Sequence, residues 1–155
     1  RAATEYKGEP HRMAFVRSVR GVDCFNDSKG TNVGATVAGL EGLGRRVVLI
    51  AGGAGKGQDF SPLITVVARL ARAVVLIGQD AHLLADTLAA TGVPCLFAQS
   101  LPQAVALAFD QAQEGDALVL SPACASLDMF RNYSQRGQVF VEATLELALS
   151  QGEVA

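Results

Sequence analysis

Asp27, Ser28, Lys29 and Thr31 bring a carboxylate, two hydroxyls and an ammonium into one five-residue stretch. Such a set suits a ligand carrying hydroxyl groups together with phosphate or carboxylate. The same residues could instead form an Asx turn in which Thr31 or Asn32 caps the following helix. A second stretch, Gly52-Gly53-Ala54-Gly55-Lys56-Gly57, lets backbone N–H groups approach an anion while Lys56 supplies charge, or is simply a flexible turn with a solvated lysine. It is not a P-loop, because Ile50 stands where that pattern needs glycine and Gly57 where it needs serine or threonine. The third stretch, Leu118 to Tyr133, opens as an apolar strand that Pro122 stops. Small residues Ala123 to Ser126 then turn toward a helix expected to start near Leu127. Ser126 would face a carboxylate or phosphate at that helix N-terminus, or Ser121 and Ser126 would only cap it. Cys124 is a thiol without a partner in sequence, since the histidines are His11 and His82; it reads as a small buried turn residue rather than a nucleophile.

These three loops need strands to hold them. Met13 to Val19 and Val22 to Phe25, joined through Arg20-Gly21, predict a β-hairpin. Small residues from Val33 to Leu43, closed by Gly44, predict a helix. The apolar run Val47 to Ala51 predicts a central strand. Beyond it come a helix starting at Ser61-Pro62, a strand Ala73 to Ile77, and a helix capped by Asp80 and running to about Ala90. A short strand Pro94 to Ala98 precedes a helix whose capping box is Ser100 with Gln103 and which runs to about Gln113. Ala117 to Leu120 is the last strand, and a helix covers about Gln135 to Leu149. Strand and helix in alternation predict an α/β, Rossmann-like fold: a mostly parallel sheet of about six strands with an antiparallel N-terminal hairpin and helices on both faces. In such a sheet the three loops would meet at one carboxyl edge, where ligands bind.

Composition narrows the function. With 155 residues the chain is one ordinary domain, and 50% hydrophobic residues suffice to cover a parallel sheet twice. A formal charge of -2 without blocks of like charge leaves no footprint for nucleic acid or an anionic membrane, and no apolar run approaches the roughly 18 residues of a membrane span. Three widely spaced cysteines suggest neither disulfides nor a zinc site, which fits a reducing cytoplasm.

Taken together, Asn26 to Asn32, Gly52 to Lys56 and Leu120 to Phe130 resemble the C-terminal domain of the Mur ligases, as do Pro10-His11-Arg12 and Arg136-Gly137. The resemblance implies a connector over residues 1–12, with a hinge near Gly8 and Pro10, and a C-terminal amino-acid-binding domain over 13–155 of a longer enzyme. It implies ATP-dependent amide-bond formation in peptidoglycan synthesis: a carboxylate of UDP-N-acetylmuramoyl-L-alanine becomes an acyl phosphate, which the amine of D-glutamate attacks. Residues around Ser28 and Lys29 resemble the D-glutamate-adding branch. Carried over residue by residue, Thr31, Lys56, Ser126 and the backbone of Tyr133 would hold D-glutamate. Asp27 would accept from the ribose hydroxyls of ATP, Arg12 and Lys29 would face its phosphates, and Lys29 would also be catalytic. ATP and Mg2+ would be held mainly by a central domain outside this chain; UDP would bind an N-terminal one. Gly30 departs from the alanine usual at its position, and Tyr133 from phenylalanine. The competing readings are a stand-alone nucleotide-binding module and a hydrolase using Cys124.

Overall fold

The computed structural model describes residues 9–153, so most of the expected connector lies outside the described residues. Strands β1 (Ala14–Val19) and β2 (Val22–Asn26) form the hairpin. They are followed by α1 (Val33–Leu43), β3 (Val47–Gly52), α2 (Leu63–Leu70), β4 (Ala71–Ile77) and α3 (Ala81–Leu88). A 3₁₀ turn, β5 (Cys95–Phe97), α4 (Leu101–Gln111), β6 (Ala117–Leu120) and α5 (Tyr133–Ser150) complete the described residues.

The sheet order is β1-β2-β6-β3-β4-β5, parallel throughout except for the β1–β2 hairpin. Every residue of β3 and β6 is buried, as strands covered on both faces must be. Alternation along β3 sorts the two cores: Val47, Leu49 and Ala51 pack with α1, α2 and α3, whereas Val48 and Ile50 pack with α4 and α5. Neighbouring strands β3 and β6 therefore leave the sheet in opposite senses, β3 into α2 on one face and β6 toward α5 on the other. The resulting switch point opens a crevice at their carboxyl ends.

Two local expectations are corrected, and a third in part. No helix starts near Leu127; Ser126 O accepts from Met129 N and Phe130 N in a single turn, and α5 begins at Tyr133. The reason is tertiary: the Asp128 carboxylate accepts from Gln79 N at 2.9 Å instead of serving a first helical turn. Asn132, whose side chain accepts from Gln135 N, caps α5. The hydroxyl of Ser61 donates to Asp59 at 2.9 Å, and α2 starts at Leu63 without a side-chain cap. Asp80 holds the N-cap position of α3, as expected, but makes no side-chain cap bond, because its carboxylate accepts from Gly55 N in another loop.

Candidate functional site

The loops that leave β2, β3 and β6 are tied to one another by backbone hydrogen bonds. Gly52 N donates to Pro122 O at 2.9 Å, and Ala54 and Ala125 exchange N–H···O bonds of 3.0 Å in each direction. Ala123 N donates to Gly30 O at 2.9 Å, closing the third side. Gln58 adds a side-chain brace, donating through Nε2 to Ala123 O at 2.8 Å and accepting from Val33 N at 2.9 Å. The glycine at position 52 is demanded by the approach: at φ +128 a Cβ would lie 1.9 Å from Ile77 O. Of the five non-glycine residues with positive φ among the described residues, four (His11, Met13, Lys56 and Ala123) lie in or beside these loops. Strain of this kind concentrates at functional sites, where surrounding contacts over-determine the backbone.

Arg136 is the keystone beneath the loops. It is 1% exposed, yet it carries a guanidinium. Nε donates to Ser28 Oγ at 2.9 Å, Nη2 to Ser28 O at 2.7 Å and Nη1 to Cys124 O at 3.0 Å. Ser28 Oγ in turn donates to Tyr133 O at 2.6 Å. One side chain thus joins the β2 loop, the β6 loop and the start of α5. Burial pushes its pKa down to about 10, so the group stays cationic at neutral pH and its bonds to the carbonyls are charge-assisted.

Two recesses open on either side of the 27–32 loop. One, of about 230 Å³, is lined by Thr31, Asn32, Gly55, Lys56, Gln58 and Ala125. The fold thus brings Thr31 and Lys56 to one cavity. Ser126 is buried, with 4% exposure, and it is its neighbour Ala125 that lines this recess. The other recess, of about 260 Å³, is lined by Arg12, Met13, Asp27, Lys29, Gly30 and the small residues of α1. Lys29 Nζ lies 5.8 Å from the ring centroid of Tyr133, a cation–π contact, and pairs with Glu9; Arg12 Nε is 3.8 Å from the same Glu9 carboxylate. The Tyr133 ring also meets His11 edge-on at 6.1 Å. His11 in turn is seated by Asn26 Nδ2, 2.9 Å from its Nδ1.

Asp27 is 4% exposed, and both its oxygens are engaged: Oδ1 accepts from Met13 N at 2.9 Å and Oδ2 from Ser121 Oγ at 2.6 Å. Burial raises its pKa above the usual 3.8, with the Ser121 and Met13 bonds opposing the rise. A carboxyl that is protonated more readily in the folded than in the unfolded chain costs stability above its raised pKa. That cost fades as the pH falls through this value toward 3.8. Asp27→Asn, whose amide oxygen can still accept from Met13 N, is therefore expected to melt no lower than the wild type at pH 7. Its advantage should shrink between pH 7 and pH 4, as followed by thermal melts across that range.

Cys124 is 0% exposed and burial pushes its thiol up to about 12, which removes it as a nucleophile at neutral pH. Sequence reasoning missed the bracing roles of Arg136, Gln58 and Asp80. A signal existed for one further feature: Asn132-x-x-Gln135 has the spacing of a capping box and marks the true start of α5.

Residues 11–124 match the family described as Mur ligase, glutamate ligase domain. The UDP-N-acetylmuramoylalanine--D-glutamate ligase of Bordetella avium is 65% identical over 154 residues, which are 99% of this chain and 30% of that protein. The ligase of the same name from Cupriavidus metallidurans is 62% identical over 96% of this chain and 29% of its own length. The chain thus spans under a third of the curated relatives that it matches. Among solved structures, UDP-N-acetylmuramate-alanine ligase MurC from Thermotoga maritima superposes with a TM-score of 0.61 at 15% identity, covering 90% of this chain and 31% of that one. A folylpolyglutamate synthase/dihydrofolate synthase from Yersinia pestis gives 0.58 at 17% identity, over 92% of this chain and 32% of its own. At those identities the two structures speak for the fold alone. With the family match spanning most of the chain, and its three loops gathered at one switch point of the sheet, this chain belongs to the glutamate ligase domain family of the Mur ligases.

Proposed function

We propose that residues 13–155 are the amino-acid-binding and nucleotide-covering domain of an ATP-dependent ligase that adds D-glutamate to UDP-N-acetylmuramoyl-L-alanine in the cytoplasm. The observation that carries this reading is the recess shared by Thr31 and Lys56, beside a second one lined by Arg12, Asp27 and Lys29. A hydroxyl, an ammonium and backbone groups of the Gly55 turn around about 230 Å³ suit a small dicarboxylate. D-Glutamate would bind there; the further contacts that the family resemblance implies are Ser126, buried one residue behind the lining Ala125, and the backbone of Tyr133 at the start of α5. The relatives named for D-glutamate ligation, at 62% to 65% identity, support the choice of amino acid.

The second recess suits the nucleotide. Arg12 and Lys29 would meet the phosphates, Lys29 stabilising charge on the transferring phosphoryl group, and Asp27 would take the ribose hydroxyls. For Asp27 to accept from a ribose, its second lone pairs must serve, since Met13 N and Ser121 Oγ already use one site on each oxygen. Magnesium would be supplied with ATP by a domain outside this chain; among the described residues no three metal-ligating side chains come together. Residues of this chain would then orient the amine of D-glutamate toward an acyl phosphate and exclude water as the domains close.

The test is made on the enzyme that carries this domain. Phosphate release in the presence of ATP and UDP-N-acetylmuramoyl-L-alanine should depend on D-glutamate and not on L-glutamate. The 155-residue chain alone should form no amide; ligation by it, or indifference to D-glutamate in the whole enzyme, would overturn the reading.

A further inference from the structure

Lys56 stands in the left-handed region at φ +56, a conformation a lysine does not choose, so something must hold the turn that presents it. On one side the hold is the Ala54–Ala125 bridge to the β6 loop. On the other it is Asp80, which lies beyond β4 and belongs to none of the three loops described above. Asp80 N donates to Gly53 O at 3.0 Å, and Asp80 Oδ2 accepts from Gly55 N at 2.7 Å. One residue thereby closes on both ends of the Gly53–Gly55 arc, immediately before Lys56. The fit has no slack: a Cβ on Gly55 would lie 2.9 Å from Asp80 Oδ2 and 2.5 Å from Phe60 Cζ.

We propose that Asp80 is a positioning residue for Lys56, setting the backbone that aims the ammonium into the Thr31–Lys56 recess. The inference rests on the functional reading above. A carboxylate near a recess meant for a dicarboxylate is an electrostatic disadvantage, so what the site gains from Asp80 is an acceptor for Gly55 N–H and not its charge. An amide oxygen should therefore serve nearly as well.

The prediction is a pattern across the wild type and four variants, measured as steady-state kinetics with D-glutamate varied. Asp80→Ala, which removes the acceptor, is expected to raise KM for D-glutamate about tenfold with kcat changed less than about threefold. Asp80→Asn should stay within about threefold of the wild type. In a Lys56→Ala background, Asp80→Ala should add less than about threefold, because a residue that acts through Lys56 has nothing left to position. Full multiplication of the two effects, or an Asp80→Ala enzyme with an unchanged KM, would overturn the proposal. If Asp80→Ala does not fold, residue-resolved hydrogen exchange on the wild type decides: the Gly55 amide should exchange at least about tenfold more slowly than that of Gly57, and equal rates overturn the proposal. An unchanged KM in Lys56→Ala alone would instead count against the functional reading, with the exchange measurement still judging the hold on the loop.

Discussion

Replacing Arg136 by leucine is expected to lower the stability of the domain by about 3 to 5 kcal/mol, a large share of the 5 to 15 kcal/mol typical of a folded domain. Leucine keeps the apolar stem but leaves Ser28 O and Cys124 O without the donors that now reach them at 2.7 and 3.0 Å. Each carbonyl stranded away from water costs about 1 to 3 kcal/mol. Arg136→Lys retains the charge and one or two donors yet cannot reproduce the planar fork that spans Ser28 and Cys124, so it should fall between the two. Chemical denaturation checks the order, wild type above lysine above leucine. A leucine variant as stable as the wild type would mean that water or another side chain takes over both carbonyls. Activity should fall further than stability alone explains, because the same guanidinium fixes the spacing between the β2 loop and the start of α5.

Lys56→Ala in the enzyme that carries this domain is expected to raise KM for D-glutamate about 10- to 150-fold, from the loss of a charge-assisted bond of about 1.5 to 3 kcal/mol. Lys56 is exposed at the mouth of the recess, so its removal should leave the melting temperature nearly unchanged. Lys56→Gly separates charge from backbone: glycine accepts φ +56 without strain, and its KM should match that of the alanine variant. A glycine enzyme that binds D-glutamate like the wild type would show that the turn, and not the ammonium, holds the substrate.

Much of the scaffold was legible before the fold was known. The run Val47 to Ala51 could only be a strand covered on both faces, and all of β3 is buried. The helix expected from Val33 to Leu43 and closed by Gly44 has those bounds, with Asn32 as its cap. Boundaries shifted by a residue or two elsewhere, as for β4, which starts at Ala71, because strand ends are set by pairing with β3 and not by local composition. At two of the places where a local signal failed, a distant group had taken the polar atoms that the signal relied on, whereas the Ser61 hydroxyl went to Asp59, two residues away. Asp80 sits at the N-cap of α3, but its carboxylate serves Gly55; Asp128 looked like part of a helical turn and serves Gln79.

Of the candidate site, the residue types were legible in chain order: hydroxyls, ammonium groups and glycine-rich backbone after three strands, a set that suits an anionic ligand. That follows because side-chain type and strand periodicity are local properties, written residue by residue. Their assembly is not local. The bonds from Ser28 to Tyr133 and Arg136 join positions 105 and 108 residues apart, and no spacing rule marks such partners in advance. Sheet order made them neighbours, by slotting β6 between β2 and β3 and sending its chain across the opposite face. Which loops share a recess, which hydroxyl is buried and which arginine lies beneath them are consequences of that crossover.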